Sequence, residues 1–244
     1  MLRTFFWYAA GWAYLIITLP ALLRVKYLEK RRRIGERDEF ANNFSMMLAR
    51  GIFRLTGSSV KVTGTENIPS GKAVLFVSNH QSHMDSAVIH GFIKIKKGFI
   101  ADKEVRNIPI LRTWLKYMKS IFIDRADMRH NVRCVEESVR ILREGCSMVI
   151  YPEGRLDEGK QLGEFRKGCV RLAVKAGVPI VPLTVKNSYL LMDRNGSKIR
   201  PASVQCIISQ PIDIATLKCE KESIILQKIR DTIAANLIKL DDGM

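Results

Sequence analysis

No Cys-x-x-C pair occurs in the 244 residues, and the five cysteines, Cys134, Cys146, Cys169, Cys206 and Cys219, are odd in number. Neither a zinc ribbon nor a closed disulfide framework is therefore expected. They read as reduced thiols in a cytosolic setting, or simply as small buried apolar side chains. A Ser or Cys nucleophile elbow is also missing, so a covalent enzyme intermediate is not indicated. No internal repeat or low-complexity linker appears, and the length suits a single core with an N-terminal appendage. Acidic residues are scarce, 24 against 40 Lys and Arg, which leaves a formal net charge of +16. A field of that sign gathers anions such as lipid headgroups, nucleic acid or phosphorylated substrates. The basic residues are spread through the chain without an aromatic-interleaved face, so nucleic acid is not the expected partner.

Charge is absent altogether from Thr4 to Leu23. That run is long enough to reach most of the way through a bilayer's hydrocarbon. Phe5, Phe6, Trp7, Tyr8, Trp12 and Tyr14 crowd one end as interfacial belts do, and Arg24, Lys26, Lys30, Arg31, Arg32 and Arg33 follow it. This arrangement predicts contact with an anionic membrane surface, with the rest of the chain on the cytoplasmic side. The run passes straight into the basic cluster without a small-residue cleavage site, unlike a signal peptide. Gly11 and Pro20 interrupt it, and the aromatic load favours insertion from one side. A helical stripe of Phe40, Phe44, Met47, Leu48, Ile52 and Leu55 follows, which could dock on the first helix, on the membrane, or in the core. Residues 1–57 form the expected membrane-associated helical segment and 58–244 the main domain.

In the main domain, β-rich runs at Ser59–Val62, Ala73–Ser78, Phe99–Ala101, Ile121–Ile123, Met148–Tyr151, Ile180–Val185 and Val204–Ser209 alternate with candidate helices. The helices are expected over Asp85–Ile93, Ile108–Tyr117, Asn131–Arg143, Gly168–Ala176 and Ser223–Leu240. Alternation of this kind predicts an α/β fold with a mostly parallel central sheet flanked by helices, plus an N-terminal membrane-associated helical pair. Reactive residues in such sheets gather beyond the carboxyl ends of strands.

His80 stands at such an address, where the strand Ala73–Ser78 meets a helix start, with Asp85 five residues on. If the loop folds back, Asp85 can fix the imidazole tautomer and steady the imidazolium formed when the other nitrogen takes a proton. Two other readings stay open from the residues alone. Asp85 could merely charge a helix N-terminus, or His80, His83 and Asp85 could be metal ligands of a hydrolase, with only His90 and His130 left to complete the set.

Asn79-His80 followed by four residues and Asp85 resembles the NHx4D block of the glycerolipid acyltransferases, the family of lysophosphatidate and glycerol-3-phosphate acyltransferases. Ile121–Arg125, Tyr151–Arg155, Phe165–Gly168 and Val178–Pro182 fall in that family's order, over roughly residues 60–185. The resemblance implies acyl transfer from acyl-CoA or acyl carrier protein to the sn-2 hydroxyl of lysophosphatidate, giving phosphatidate. It implies His80 as general base oriented by Asp85, and no metal and no cofactor beyond the thioester co-substrate. Glycerol 3-phosphate or another lysophospholipid is the alternative acceptor. Arg125, Glu153, Gly154, Arg155 and Lys103 are the implied acceptor-binding residues, guanidinium being suited to two-point binding of phosphate. The oxyanion donors are expected near Val178–Pro182. The family commonly has Thr after Glu-Gly; here Arg155 follows Gly154 directly, moving the guanidinium one place early.

Overall fold

The computed structural model describes residues 2–241 apart from 125, 158, 160, 193, 195 and 197, with side chains from Thr4 onward. The β-rich runs become seven strands: β1 Ser59–Thr63, β2 Leu75–Ser78, β3 Lys97–Asp102, β4 Ile121–Ile123, β5 Ser147–Ile150, β6 Ile180–Lys186 and β7 Ser203–Ile208. They form one sheet in the order β1-β7-β6-β2-β5-β3-β4. All pairings are parallel except that of β6 with β7. The central strands are apolar on both sides, as a parallel sheet covered by helices requires. Leu75 and Val77 of β2 face one core, while Val74 and Phe76 face the other.

The first core is closed by α6 (Met128–Arg143), α7 (Gly168–Ala176), α8 (Ile214–Cys219) and α9 (Glu222–Asp241). The second is closed by α3 (Ile34–Arg54), α4 (Asp85–Phe92) and α5 (Pro109–Tyr117). α8 was not expected from the sequence; its six residues are started by Asp213, whose carboxylate accepts from Thr216 N–H. α6 begins three residues earlier than expected for the same reason, since Asp127 accepts from His130 N–H. Cys134, Cys146, Cys169 and Cys206 are buried free thiols, and Cys219 is exposed.

The charge-free run is helical as α1 (Leu2–Ile17) and α2 (Leu19–Lys30), broken only at Thr18. Thr4–Lys30 is long and apolar enough to cross a membrane, with a mean hydropathy of 1.5 over its most apolar window. Phe5, Phe6, Ile16, Ile17 and Leu23 lie uncovered on it. The expected helical pair is thus three helices, because Thr18 divides the first. The stripe on α3 is shared: Phe53 and Ile52 enter the sheet core, whereas Phe40, Phe44 and Leu48 pack with α2 and α5.

Trp114 of α5 fastens this N-terminal assembly. Its ring stacks on Phe44 with centroids 5.0 Å apart, and its Nε1 donates to Thr18 Oγ1 at 2.9 Å. Thr18 in turn donates to Leu15 O, so the break between α1 and α2 is tied to α5. Trp7 Nε1, donating to Ile52 O at 3.2 Å, ties α1 to α3. Truncating a buried aromatic of this size costs about 3–5 kcal/mol. Trp114→Ala is therefore expected to lower the urea unfolding midpoint of the detergent-solubilised protein and to open the α2–α3 region to protease. An unchanged midpoint would show that the tie contributes nothing to stability.

Candidate active site

β2 ends at Ser78, and the chain turns through residues 79–84 before α4 starts at Asp85. The turn is held to the sheet by Asn79, whose side chain donates to Val185 O and accepts from Val185 N, both at 2.9 Å. That pair extends the β2–β6 ladder one step past the end of the strand. The loop then wraps around a carboxylate. Asp85 Oδ2 accepts from the backbone N–H of Gln81 at 2.7 Å, from that of Ser82 at 3.0 Å, and from His80 Nδ1 at 2.9 Å. Asp85 is fully buried in the first turn of α4, where the helix dipole favours an anion. An imidazole that donates through Nδ1 presents Nε2 as an acceptor.

The His80 ring lies flat on Tyr151, with centroids 3.8 Å and planes 13° apart. The Tyr151 hydroxyl is bonded to Ser86 Oγ at 3.0 Å, and burial, with Asp85 nearby, pushes the phenol well above its ordinary value. Tyr151 is thus a neutral platform. The His80 main chain is clamped as well: its N–H donates to Glu153 Oε1 at 3.1 Å, and its carbonyl accepts from Asp157 N at 2.8 Å. Glu153 Oε2 accepts from Gly163 N at 2.8 Å, and a Cβ at residue 163 would stand only 2.9 Å from that oxygen. Burial raises the Glu153 carboxyl above its usual range, partly offset by these two amide bonds.

A cavity of about 1070 Å³ opens beside His80. His83, Lys103 and Arg155 stand exposed on its rim beside the half-buried Asp124, and Leu48, Ile52, Phe99, Trp114, Leu115 and Met118 line its interior. Arg155 makes no ion pair among the described residues, so its guanidinium is open to an anion. Lys103 pairs with Asp124 at 3.0 Å, which lowers the carboxyl and raises the amine through their hydrogen bond. Gly154 adopts φ +71°, the left-handed region, which lets the chain turn directly after Glu153.

Of the sequence-predicted set, His80, Asp85, Gly154, Arg155 and Lys103 converge on this cavity or its support. Arg125 lies outside the described residues. Glu153 is placed differently from expectation: both its oxygens hold backbone amides, so it shapes the loop and does not present a free carboxylate to the cavity. The expected oxyanion region is also displaced. Ile180 pairs with Leu75 and Pro182 with Val77 in parallel register, so residues 178–182 enter β6 from its amino end and run inside the sheet beside β2. Ile180 N is bonded to Ile212 O, and none of these residues lines the cavity. Among the described residues no three His, Cys, Asp or Glu side chains are grouped as metal ligands. His83 is exposed, and Asp85 Oδ2 already serves three donors.

Residues 59–186 match the family described as Acyltransferase. The chain belongs to that acyltransferase family. It is 31% identical over 170 residues to a probable 1-acyl-sn-glycerol-3-phosphate acyltransferase of Mycoplasma pneumoniae, covering 65% of this chain and 64% of the relative. It is 29% identical over 183 residues to the 1-acyl-sn-glycerol-3-phosphate acyltransferase of Borreliella burgdorferi, covering 75% and 73%. Against the chloroplastic relative LPAT1 of Arabidopsis thaliana it spans 49% of that protein's length at 30% identity. The crystal structure of the 1-acyl-sn-glycerophosphate (LPA) acyltransferase PlsC from Thermotoga maritima superposes with a TM-score of 0.86 at 26% identity, covering 100% of this chain and 96% of that one. The α/β fold with a mostly parallel sheet and apolar N-terminal helices is shared with that acyltransferase.

Sequence reasoning quoted Asn79 and Tyr151 in motif blocks without giving either a role, and it missed Asp157. Tyr151 ends the β-rich run that feeds Pro152–Arg155, and Asn79 precedes His80, so position alone pointed to both. Asp157 had no such signal. Burial pushes its carboxyl up from 3.8 to about 7, although Gly159 N donates to it. A folded-state value above the unfolded one contributes stability that is complete below the unfolded value and is lost as pH rises through the folded one. Asp157→Asn keeps an acceptor for Gly159 and is neutral throughout. Relative to that variant, wild type should lose stability progressively between pH 3.8 and about pH 7. Urea midpoints of the two proteins at pH 4 and pH 8 check this, and curves that stay parallel would contradict it.

Proposed function

We propose that the chain transfers a fatty acyl group from a thioester of coenzyme A or acyl carrier protein to the sn-2 hydroxyl of lysophosphatidate. The observation that carries this reading is the 2.9 Å bond between His80 Nδ1 and Asp85, with the ring beside an apolar cavity rimmed by Arg155, which has no ion pair among the described residues. His80 Nε2 takes the proton of the acceptor hydroxyl as its oxygen attacks the thioester carbonyl. The tetrahedral oxyanion collapses and breaks the C–S bond, and the departing thiolate recovers the proton from the imidazolium. A thioester is already activated, so no enzyme nucleophile is needed. General-base action of this kind supplies roughly 10²–10⁴-fold, and the fixed placement of two substrates supplies much of the rest.

Arg155 is proposed to hold the acceptor phosphate by its two-pronged guanidinium, with Lys103 and its partner Asp124 lining the same cavity. The apolar interior takes the acyl chain. The uncovered apolar side of α1 and α2 would lie in one leaflet, with Arg24 and Lys26 to Arg33 at headgroup level, on the cytoplasmic side. Acceptor and enzyme then meet in the same plane.

Labelled acyl thioester and lysophosphatidate, incubated with the purified protein, should give labelled phosphatidate. Exclusive labelling of glycerol 3-phosphate or of a larger-headgroup lysophospholipid in a competition would move the assignment to that acceptor. His80→Ala should lower kcat by about 10²-fold or more with vesicle binding and circular dichroism unchanged; retention of most turnover would refute the base role. Arg155→Ala should raise the KM for lysophosphatidate about tenfold, as expected for a lost charge-assisted contact, and leave the KM for the thioester near wild type. An unchanged acceptor KM would remove Arg155 from the phosphate site.

A further inference from the structure

A second concavity, a groove of about 450 Å³, runs between α2 and α3 and shares no lining residue with the cavity beside His80. Arg24 and Leu28 stand four residues apart on α2, and Glu36, Phe40, Phe44 and Met47 recur at three or four on α3, so each helix gives the groove one face. Contacts of Glu29 with Arg37 and of Arg24 with Phe40 show that the two helices run antiparallel away from the turn at 31–33. Glu36 therefore stands at the basic turn, and Met47 stands at the other end of the groove, about 16 Å along α3 at 1.5 Å per residue. By the same register Met47 is level with residues 17–19, where Ile17 and Leu19 are uncovered apolar side chains, as Met47 is.

Charge in the groove is graded along the same direction. Arg24 holds its guanidinium 4.4 Å from the centroid of the Phe40 ring. Among the described residues it makes no ion pair, and neither does Glu39, which is exposed on the groove beside Phe40. Glu36, by contrast, is already held by two nitrogens of Arg33. The floor is a stack of rings: Phe40 lies on Phe44 with centroids 5.6 Å apart, and Phe44 lies on Trp114 at 5.0 Å. Trp114 also lines the cavity beside His80, so this aromatic layer separates the two concavities and keeps the groove preformed. From Met47 toward the turn, the groove thus presents an apolar end, then a guanidinium, then carboxylates. An intact phospholipid with an amine-bearing headgroup has the same order: chain, phosphate, ammonium.

We infer that the groove between α2 and α3 is a second lipid site, which holds a phospholipid whose headgroup carries both a phosphate and a primary ammonium, as ethanolamine phospholipids do. The phosphate takes the guanidinium of Arg24, the ammonium donates to Glu39, and a chain runs over Phe44 and Met47 toward the uncovered side of α1 and α2. The lipid is bound there and not transformed. This inference rests on the membrane placement of α1 and α2 proposed above, and not on the acyl-transfer chemistry.

For the test, the detergent-solubilised full chain is mixed with equal amounts of ethanolamine, choline and glycerol phospholipids that share the same acyl chains, and the lipids it retains are counted by native mass spectrometry. Ethanolamine and choline lipids have the same net charge, so the overall positive field does not choose between them, and only the former has N–H donors for Glu39. Wild type should retain the ethanolamine lipid about two- to five-fold over the choline lipid, the range of an exposed ion pair. Glu39→Gln should bring that ratio close to one, and Arg24→Gln should lower retention of all three lipids. Excess lysophosphatidate should leave the bound lipid in place, as should glycerophosphoethanolamine, the same headgroup without chains. Equal retention of ethanolamine and choline lipids by wild type would overturn the proposal. So would a preference that survives in Glu39→Gln, retention unchanged in Arg24→Gln, or displacement by lysophosphatidate or by the chain-free headgroup. Vesicle flotation separates the two failures. Wild type that floats with vesicles but shows no ethanolamine preference sinks the groove site alone; wild type that floats with no vesicle sinks the membrane placement and this inference with it.

Discussion

A single carboxylate oxygen organises the site. Asp85 Oδ2 gathers two backbone amides and one imidazole nitrogen within 3.0 Å, so the loop between β2 and α4 closes around it. Three converging donors in a buried place form a strong charge-assisted set, and they fix both where His80 stands and which of its nitrogens faces the cavity. The neighbouring elements reinforce this constraint. Asn79 fastens the loop to β6, Tyr151 supports the ring from below, and Glu153 reaches across from the next strand-end loop to hold the His80 amide. The parallel sheet brings these residues together because β2 lies between β5 and β6, and all three strands deliver their carboxyl ends to the same rim.

The surroundings of that rim divide by charge. Inside the cavity the walls are mostly apolar, and at the edge Arg155, Lys103 and His83 are exposed. An amphiphile carrying a phosphate fits such a gradient, with its chain inward or in the membrane and its headgroup beside the cations. The N-terminal helices continue the same division over the surface, as α1 and α2 expose apolar side chains and end in a basic cluster. Trp114 and Thr18 connect this amphiphilic surface to α5, which itself lines the cavity, so the apolar N-terminal helices and the cavity beside His80 share a wall.

Much of this was legible in the residues. All seven strands were marked by short apolar β-rich runs, because strands buried on both faces leave an unambiguous trace. The pairing of His80 with Asp85 was legible as a possibility, but spacing alone could not show that the loop would wrap the carboxylate with its own amides. Other features depended on contacts distant in sequence. The antiparallel turn of β7 and the break at Thr18 carry no local signal. Glu153 looked like a substrate ligand because a charged residue at a strand end usually faces solvent or substrate; its burial against Gly163 is a tertiary event. Residues 178–182 were expected to supply oxyanion donors, but they run into β6 paired with Leu75–Val77 and do not line the cavity, a placement that follows from topology. His90 stood in no strand-end context, and its place in the cavity wall emerges only when α3 packs on α4.

The account depends most on the proton of His80 residing on Nδ1, against Asp85, with Nε2 free to accept. Nitrogen-15 NMR of histidine-labelled protein in micelles, followed across a pH series, reports that tautomer directly when the His80 signal is assigned with a His80→Gln sample. An Nδ1–H tautomer at His80 that is lost in Asp85→Ala is the result expected. A His80 ring protonated on Nε2, or one indifferent to the loss of Asp85, would contradict the arrangement on which the proposed chemistry stands.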